Sequence, residues 1–499
     1  MSAIPTKILT PSLAEKGVVM RSESKTCRLL FILIVSLLTQ LLVQDFSICQ
    51  AQSEIRSPEQ PPRIQRFELL NGLRILAVER AENKRVVVNL LIKSGSNFDP
   101  PRKSGLAYLT AQAVCFANGK TTPARWKEEL EFLGVNFSIR VDSDSTVFQA
   151  EIPSSNFETF LSTLTNVVLH PVFQQEGLER IKQDAKSTAF NQTDPLELCK
   201  KHFRELIYGK SPCGNSLHGA WDSIRELKLS DLEEFHRSYY LPNNAALVVV
   251  GRTTTSGLTG LVREKFGNWV KGVVPVIELP STRLAGQLNN SILVIERKDS
   301  ADATLILGHA GPSRITPDYF SLQLVNLILG GIGASSRLEQ ALHAENVSYT
   351  KIASEIQFGQ NCGQFLVFTQ LPPSSVSGAL EVISASIENL KTGQISEIEL
   401  STGKSELTAW FADLLKSDSL LADQVINMEL YNLASDYLAG FSGNINRVTT
   451  ERLQEAIKNH ISSTRATIVI MGDTAKIKSE LGTDKTLVLI DKEESISSP

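Results

Sequence analysis

The strongest constraint on this chain is that it is written twice. The segment 232-LEEFHRSYYLPNNAALVVVGRT-253 recurs without a gap as 453-LQEAIKNHISSTRATIVIMGDT-474, an offset of 221 residues. The shorter pair 75-ILAVER-80 and 292-ILVIER-297 repeats at an offset of 217. In both longer segments a helix-like pattern leads through a polar turn into an apolar run ending in glycine, Val248–Gly251 and Val469–Gly472. Such a run reads as a buried strand. The start and the end of a unit recur at nearly one spacing, so the chain is two tandem copies of roughly 220 residues.

The first copy is bounded at 64–268 and the second at 291–474, with 475–499 as a tail in which 487-LVLIDKEESISSP-499 is expected to add a short strand and then fray. Between them, 269-WVKGVVPVIELPSTRLAGQLNN-290 carries two prolines and two glycines and reads as a linker. The opening 67-FELLNGLRILAVERAENKRVVVNLLIKSGS-96 holds an Asn-Gly turn signal and two β-rich runs, which predict a hairpin. Helical patterns follow near 104–117, 123–133, 155–168, 174–190, 195–208 and 230–240. Hairpin strands mixed with helices favour an α+β fold over a doubly wound parallel sheet. The expectation is two tandem homologous domains, each a mainly antiparallel sheet packed with helices.

Composition narrows the function. The chain has 499 residues, is 42% hydrophobic and carries a net charge of −4. It has no basic cluster able to neutralise many phosphates, so nucleic acid is excluded as a partner. Residues 29-LLFILIVSLLTQLLV-43 are apolar, with Arg21, Lys25 and Arg28 upstream and small residues near Ala51. This is the layout of a secretory signal peptide, expected over 1–51, and a start at Met20 would give it an upstream basic segment of ordinary length. The apolar run is short for a membrane span of roughly 20 residues. The expectation is a periplasmic or secreted protein that contacts membrane only through this segment if it is uncleaved. Cys115, Cys199, Cys213 and Cys362 remain after cleavage, and their spacing selects no pairing.

Several stretches carry a family resemblance: 71-NGLRI-75, 94-SGSNFDPPRKSGLA-107, 133-LGVNFSIRVDSDSTVF-148, 207-IYGKSPCG-214, 239-YYLPNNAALVVVG-251 and 330-GGIGASSRL-338. In order and spacing, over roughly 64–474, the chain resembles the insulinase/pitrilysin/mitochondrial-processing-peptidase family, the inverzincin metallopeptidases. The resemblance implies H-x-x-E-H directly after Gly105-Leu106-Ala107. On a helix, positions i and i+4 share a face, so two imidazoles hold one zinc while the glutamate works as general base. Here those five positions are Tyr108, Leu109, Thr110, Ala111 and Gln112. Tyrosine and glutamine are poor zinc ligands, and alanine takes no proton. The family's third ligand, a glutamate, should fall near 186-KSTAF-190, which has no carboxylate. None of the seven histidines, His170, His202, His218, His236, His309, His343 and His460, has a partner at metal-ligand spacing. This chain is expected to bind no metal of its own.

The second copy retains the other side of such a site. The resemblance maps the family's arginine–tyrosine pair onto Arg337 and Tyr349, donors that reach substrate carbonyl oxygen. The spacing between them is one residue short, and 343-HAENVSY-349 lacks the family's glycine, so Arg337 is the firmer of the two. The run 330-GGIGASS-336 lacks the G-K-[ST] of a phosphate-binding loop. A blank metal half with a retained donor half implies a non-catalytic subunit of a two-chain peptidase. Its partner would be a family member with an intact motif and zinc, and its substrate a peptide. The alternatives are a structural or scaffold member of the family, and a self-sufficient hydrolase that uses other residues.

Overall fold

A computed structural model describes residues 61–116, 123–191, 194–209, 211–277, 292–331, 336–482 and 487–490. The signal peptide expected at 1–51, linker residues 278–290 and residues 332–335 of the glycine-rich loop lie outside the described residues. The described residues form one compact unit.

The first half begins with β1 (Ile64–Glu68), β2 (Arg74–Glu79), β3 (Arg85–Ile92), α1 (Leu106–Phe116), α2 (Pro123–Leu133), β4 (Asn136–Val141) and β5 (Thr146–Pro153). It continues with α3 (Phe157–Leu169), α4 (Gln175–Asn191), α5 (Pro195–Tyr208), α6 (Trp221–Glu226), α7 (Leu229–Tyr239), β6 (Ala245–Gly251) and α8 (Thr255–Phe266). The second half begins with β7 (Ile292–Glu296), β8 (Ala303–Gly311), α9 (Tyr319–Gly330), α10 (Arg337–Ala344), β9 (Lys351–Gln357) and β10 (Gly363–Leu371). It ends with α11 (Val376–Thr392), α12 (Glu397–Leu414), α13 (Asp418–Leu430), α14 (Tyr437–Asn446), α15 (Thr450–His460), β11 (Thr467–Gly472), α16 (Thr474–Leu481) and β12 (Leu487–Ile490).

Each half holds one six-stranded sheet, ordered β1-β2-β6-β3-β5-β4 and β12-β7-β11-β8-β10-β9. The two orders match place for place, as the duplication requires. Most neighbours are antiparallel; β2 with β6, β7 with β11 and β7 with β12 are parallel. The edge strand comes from the start of the chain in one half and from its end in the other. The stretch set apart as a tail therefore supplies α16 and the edge strand β12.

One expectation is corrected. The Asn71-Gly72 turn does make a hairpin, joining β1 to β2 with Gly72 N donating to Leu69 O at 2.8 Å. Gly72 sits at φ +88°, and a Cβ there would lie 2.9 Å from the Cβ of Asn243, so glycine is required. The two β-rich runs that follow, β2 and β3, are not paired with each other. Strand β6 lies between them, parallel to β2 and antiparallel to β3. Every residue of β6 is buried. A strand apolar on both faces is most stable with sheet on both sides, and this displaces the local pairing.

The halves are joined by an exchange of helices. The apolar face of α5, with Cys199, Phe203 and Ile207, packs on the second sheet against Leu293, Ile306 and Leu366. The equivalent helix of the second half, α13, lays Leu421, Val425 and Ile426 on the first sheet against Val87, Val248 and Val250. Both helices have firm starts: Asp194 accepts from Leu196 N ahead of Pro195, and Ser417 accepts from Leu420 N. Each sheet thus has its own helices on one face and a helix of the other half on the opposite face.

Candidate functional site

The loop before α1 is built to hold that helix in place. Asp99 is buried, and its carboxylate accepts from Gly105 N and Ala107 N, both at 2.7 Å, at the helix N-terminus. Burial pushes this carboxyl up to about 7 against the opposing backbone bonds from Ala107, Gly105 and Leu106. Gly105 has φ +95° and meets Gly219 so closely that a Cβ on either would fall within 3.0 Å of the other's backbone. The two glycines seat the loop 216–219 against the start of α1.

Along α1, Leu109, Thr110 and Ala111 are buried, while Tyr108 and Gln112 are half-buried on one face. The Tyr108 ring stands edge-on to His218, with centroids 4.9 Å apart. Burial, and secondarily Asp184, raises the Tyr108 hydroxyl above the ordinary phenol value. Burial also pulls His218 down, favouring its neutral form. An i, i+4 pair of phenol and carboxamide with a buried methyl between them is no donor set for zinc. Among the described residues, no group of three or more His, Cys, Asp or Glu is placed to hold a metal. Asp184 is the carboxylate that α4 brings near α1, just upstream of the stretch 186–190 where the family ligand would fall. Sequence spacing passed over it.

Next to this blank half-site lies a cavity of about 450 Å³ with walls from both halves. His218 lines it and so connects it to Tyr108. Strand β4 reaches it at Arg140 and strand β9 at Gln357. Both are edge strands, each paired on one side among the described residues. Ion pairs cross between the halves here. Arg140 holds Asp423 at 3.2 Å and Asp142 at 3.1 Å, and Lys200 holds Glu355 at 3.0 Å. Asp144 accepts from Gln360 N at 2.8 Å and from Asn97 Nδ2 at 3.0 Å. Tyr208 donates to Gly363 O. Burial raises the carboxyls of Asp142 and Asp144 and lowers the Arg204 guanidinium from its ordinary value.

The cysteines, left open by spacing, are decided by this geometry. Cys213 and Cys362 form a disulfide that ties the loop after α5 to the β9–β10 turn at the cavity wall. Cys115 and Cys199 are free and buried, and burial pushes both thiols up.

Arg337 is the first residue of α10, behind the N-cap Ser336. Its Nε and Nη2 donate to Glu399 Oε1 and Oε2 at 2.9 and 3.0 Å, and Nη2 also donates to Gln394 O at 3.2 Å. Glu399 closes a capping box with Ser396 at the start of α12, and the Arg337 bond pulls its carboxyl down to about 2. The guanidinium expected to offer open donors is therefore held in a two-pronged ion pair. The Ser396-x-x-Glu399 signature that announces its partner was legible but unread. Tyr349 precedes β9, and its hydroxyl meets His343 Nε2 at 3.1 Å. Arg337 and Tyr349 each have a different partner, and neither lines the cavity.

Comparison with known proteins agrees with this architecture. Residues 74–220 match the family model for insulinase (peptidase family M16), and residues 226–407 match the model for the peptidase M16 inactive domain. An uncharacterized zinc protease of Rickettsia felis is 22% identical over 374 residues, 74% of this chain and 87% of the relative. An uncharacterized zinc protease of Mycobacterium tuberculosis is 23% identical over 430 residues, 84% of this chain and 95% of the relative. A crystal structure of a peptidase M16 inactive domain from Pseudomonas fluorescens superposes with a TM-score of 0.76 at 24% identity, covering 83% of this chain and 98% of that one. A protease from Helicobacter pylori gives 0.75 at 20%, covering 82% and 99%. The two family models follow one another along a duplicated fold, and the chain belongs to the insulinase family, peptidase family M16.

Proposed function

We propose that this chain is the non-catalytic subunit of a two-chain metallopeptidase, which binds extended peptide and completes the active site of a family member that keeps H-x-x-E-H and its zinc. The observation that carries this reading is the state of α1. Its anchor, Asp99 and the Gly105–Gly219 contact, is that of a helix held in a fixed position. The half-buried positions of its motif stretch nevertheless hold Tyr108 and Gln112, with the buried Ala111 between them in sequence. The positioning is kept and the chemistry is gone. The adjoining cavity and the edge of β4 supply a place where peptide adds as a strand, with main-chain bonds giving affinity at little sequence demand. In this reading zinc belongs to the partner, and no step runs through a metal on this chain. The pair works outside the cytoplasm, provided that 1–51 acts as a signal peptide; sequencing the mature N-terminus tests that.

Arg337 acts on the partner's substrate only if the guanidinium exchanges Glu399 for a developing oxyanion. The test is reconstitution. The mixture with an H-x-x-E-H partner should hydrolyse peptide where neither chain does alone. Arg337→Ala should lower the rate by about 10²-fold, the size of one lost oxyanion donor. Glu399→Gln, which releases the guanidinium but keeps an acceptor for the cap, should retain activity. A partner fully active alone would overturn the subunit reading. The Arg337–Glu399 pair itself favours a second reading, a scaffold member in which Arg337 only ties α10 to α12. Under that reading Arg337→Ala and Glu399→Gln have the same small effect, and the chain purifies with non-peptidase partners without binding peptide.

A further inference from the structure

We infer that the cavity between the halves is a carboxylate subsite, in which Arg204 and Lys201 of α5 take a carboxylate of a bound peptide, from its C-terminus or an acidic side chain. The inference rests on the peptide-binding reading above.

Four cations line this cavity: Arg140, Lys200, Lys201 and Arg204. Two of them are matched. Arg140 is shared by Asp142 and Asp423, and Lys200 lies 3.0 Å from Glu355 and 3.6 Å from Glu197. The lining carboxylates are likewise committed. Asp142 is on Arg140, Glu197 is beside Lys200, and both oxygens of Asp144 accept from Gln360 N and Asn97. Arg204 and Lys201 are left over. Arg204 donates through Nη1 to Ser143 Oγ at 2.9 Å, and among the described residues no carboxylate lies within ion-pair distance of either cation. His218, across the same cavity, is biased towards its neutral form and adds no competing positive charge.

A guanidinium keeps its charge in a protein, and taking it out of water without an anion is unfavourable. Burial does act against the charged form here, while Tyr208, Asp142, Asp144 and Glu197 oppose that from a distance. An incoming carboxylate would supply the missing partner. The planar fork of Arg204 fits two carboxylate oxygens, and Lys201, one helical turn earlier, adds a mobile point charge. A volume of about 450 Å³ admits a short end of peptide, within the usual size of ligand pockets. Arg140 at the end of β4 lines the same space, so a peptide laid along that edge strand runs towards this subsite.

The test uses the full mature chain and three fluorescent peptides of one neutral sequence. One has a free C-terminus, one a C-terminal amide, and one the amide with a single internal glutamate. Fluorescence anisotropy should show at least one carboxylate peptide binding about 10-fold tighter than the plain amide, with the gap shrinking as salt is raised. Arg204→Gln should close that gap and Arg204→Lys should keep part of it, with thermal melts reporting whether each variant folds. Lys201→Gln, at a half-exposed position, should narrow the gap and carries the test if Arg204→Gln fails to fold. Which carboxylate peptide gains affinity identifies the source. Equal binding of all three peptides overturns the subsite and leaves peptide binding standing. Binding of none overturns both.

Discussion

Helices α5 and α13 occupy equivalent places in the two halves and do the same structural work, yet they differ where they meet the cavity. Each lays an apolar face on the sheet of the opposite half, α5 with Phe203 and Ile207, α13 with Leu421 and Val425. Towards the cavity, α5 presents Glu197, Lys200, Lys201 and Arg204, whereas α13 presents Ile426, Asn427 and Leu430. The duplicated halves have kept the clamp on both sides and a cluster of cations on one, with Asp423 of α13 reaching the cavity only through its pair with Arg140. Burial constrains the packing face of each copy to the same chemistry, because any polar group there would lose water without gaining a partner. The cavity face is free of that constraint and can diverge.

The comparison breaks most visibly if the clamps are unequal. Phe203→Ala on α5 should cost about 3–5 kcal/mol and Leu421→Ala on α13 about 2–5 kcal/mol, both measured by urea unfolding, since both side chains are fully buried. A loss well under 1 kcal/mol for either would mean that its helix is not a clamp. A smaller effect is expected from the covalent link. Replacing Cys213 and Cys362 together by serine should remove about 2–4 kcal/mol, because the bond closes a sequence separation of 149 residues between the halves. An unchanged midpoint would show that the exchanged helices alone hold the halves.

The smallest effect sets one carboxylate in each half against the other. Asp99, lifted by burial to about 7, binds its proton more tightly folded than unfolded, so its contribution makes stability fall as pH rises from about 4 to 7. Glu399, held down to about 2 by Arg337, has the opposite sign. Its contribution is present above the ordinary carboxyl range and is lost as pH falls through about 2. Melting temperatures from pH 2 to 7 should lose the first slope in Asp99→Asn and the acid-side loss in Glu399→Gln. Identical profiles in wild type and both variants would contradict the two assignments.

Much of the fold was legible because it is written in periodicity and punctuation. The apolar run 248–251, the Asn71-Gly72 turn, the helical pattern at 195–208 and the recurrence at 453–474 are all patterns that local physics reads. The family and the blank state of positions 108–112 were legible for the same reason, since i, i+4 spacing fixes which side chains share a helix face. The site was less so. Arg337 and Tyr349 could be placed by motif, but Glu399 is 62 residues from Arg337 and meets it only through folding, and the contact of Tyr349 with His343, six residues before it, depends on how the chain turns between α10 and β9.

The sequence by itself determined that there are two halves of one α+β pattern, and that positions 108–112 of the first do not carry the family's H-x-x-E-H. The tertiary structure alone decided that β6 separates β2 from β3, that α5 and α13 cross to the opposite sheets, that Cys213 meets Cys362, and that among the described residues Arg204 is left without a carboxylate. The physical reason is one of range. Helix and strand periodicity act over a few residues, while pairing of sheet strands, closure of a disulfide and matching of buried charge depend on which distant segments compete for the same interior space.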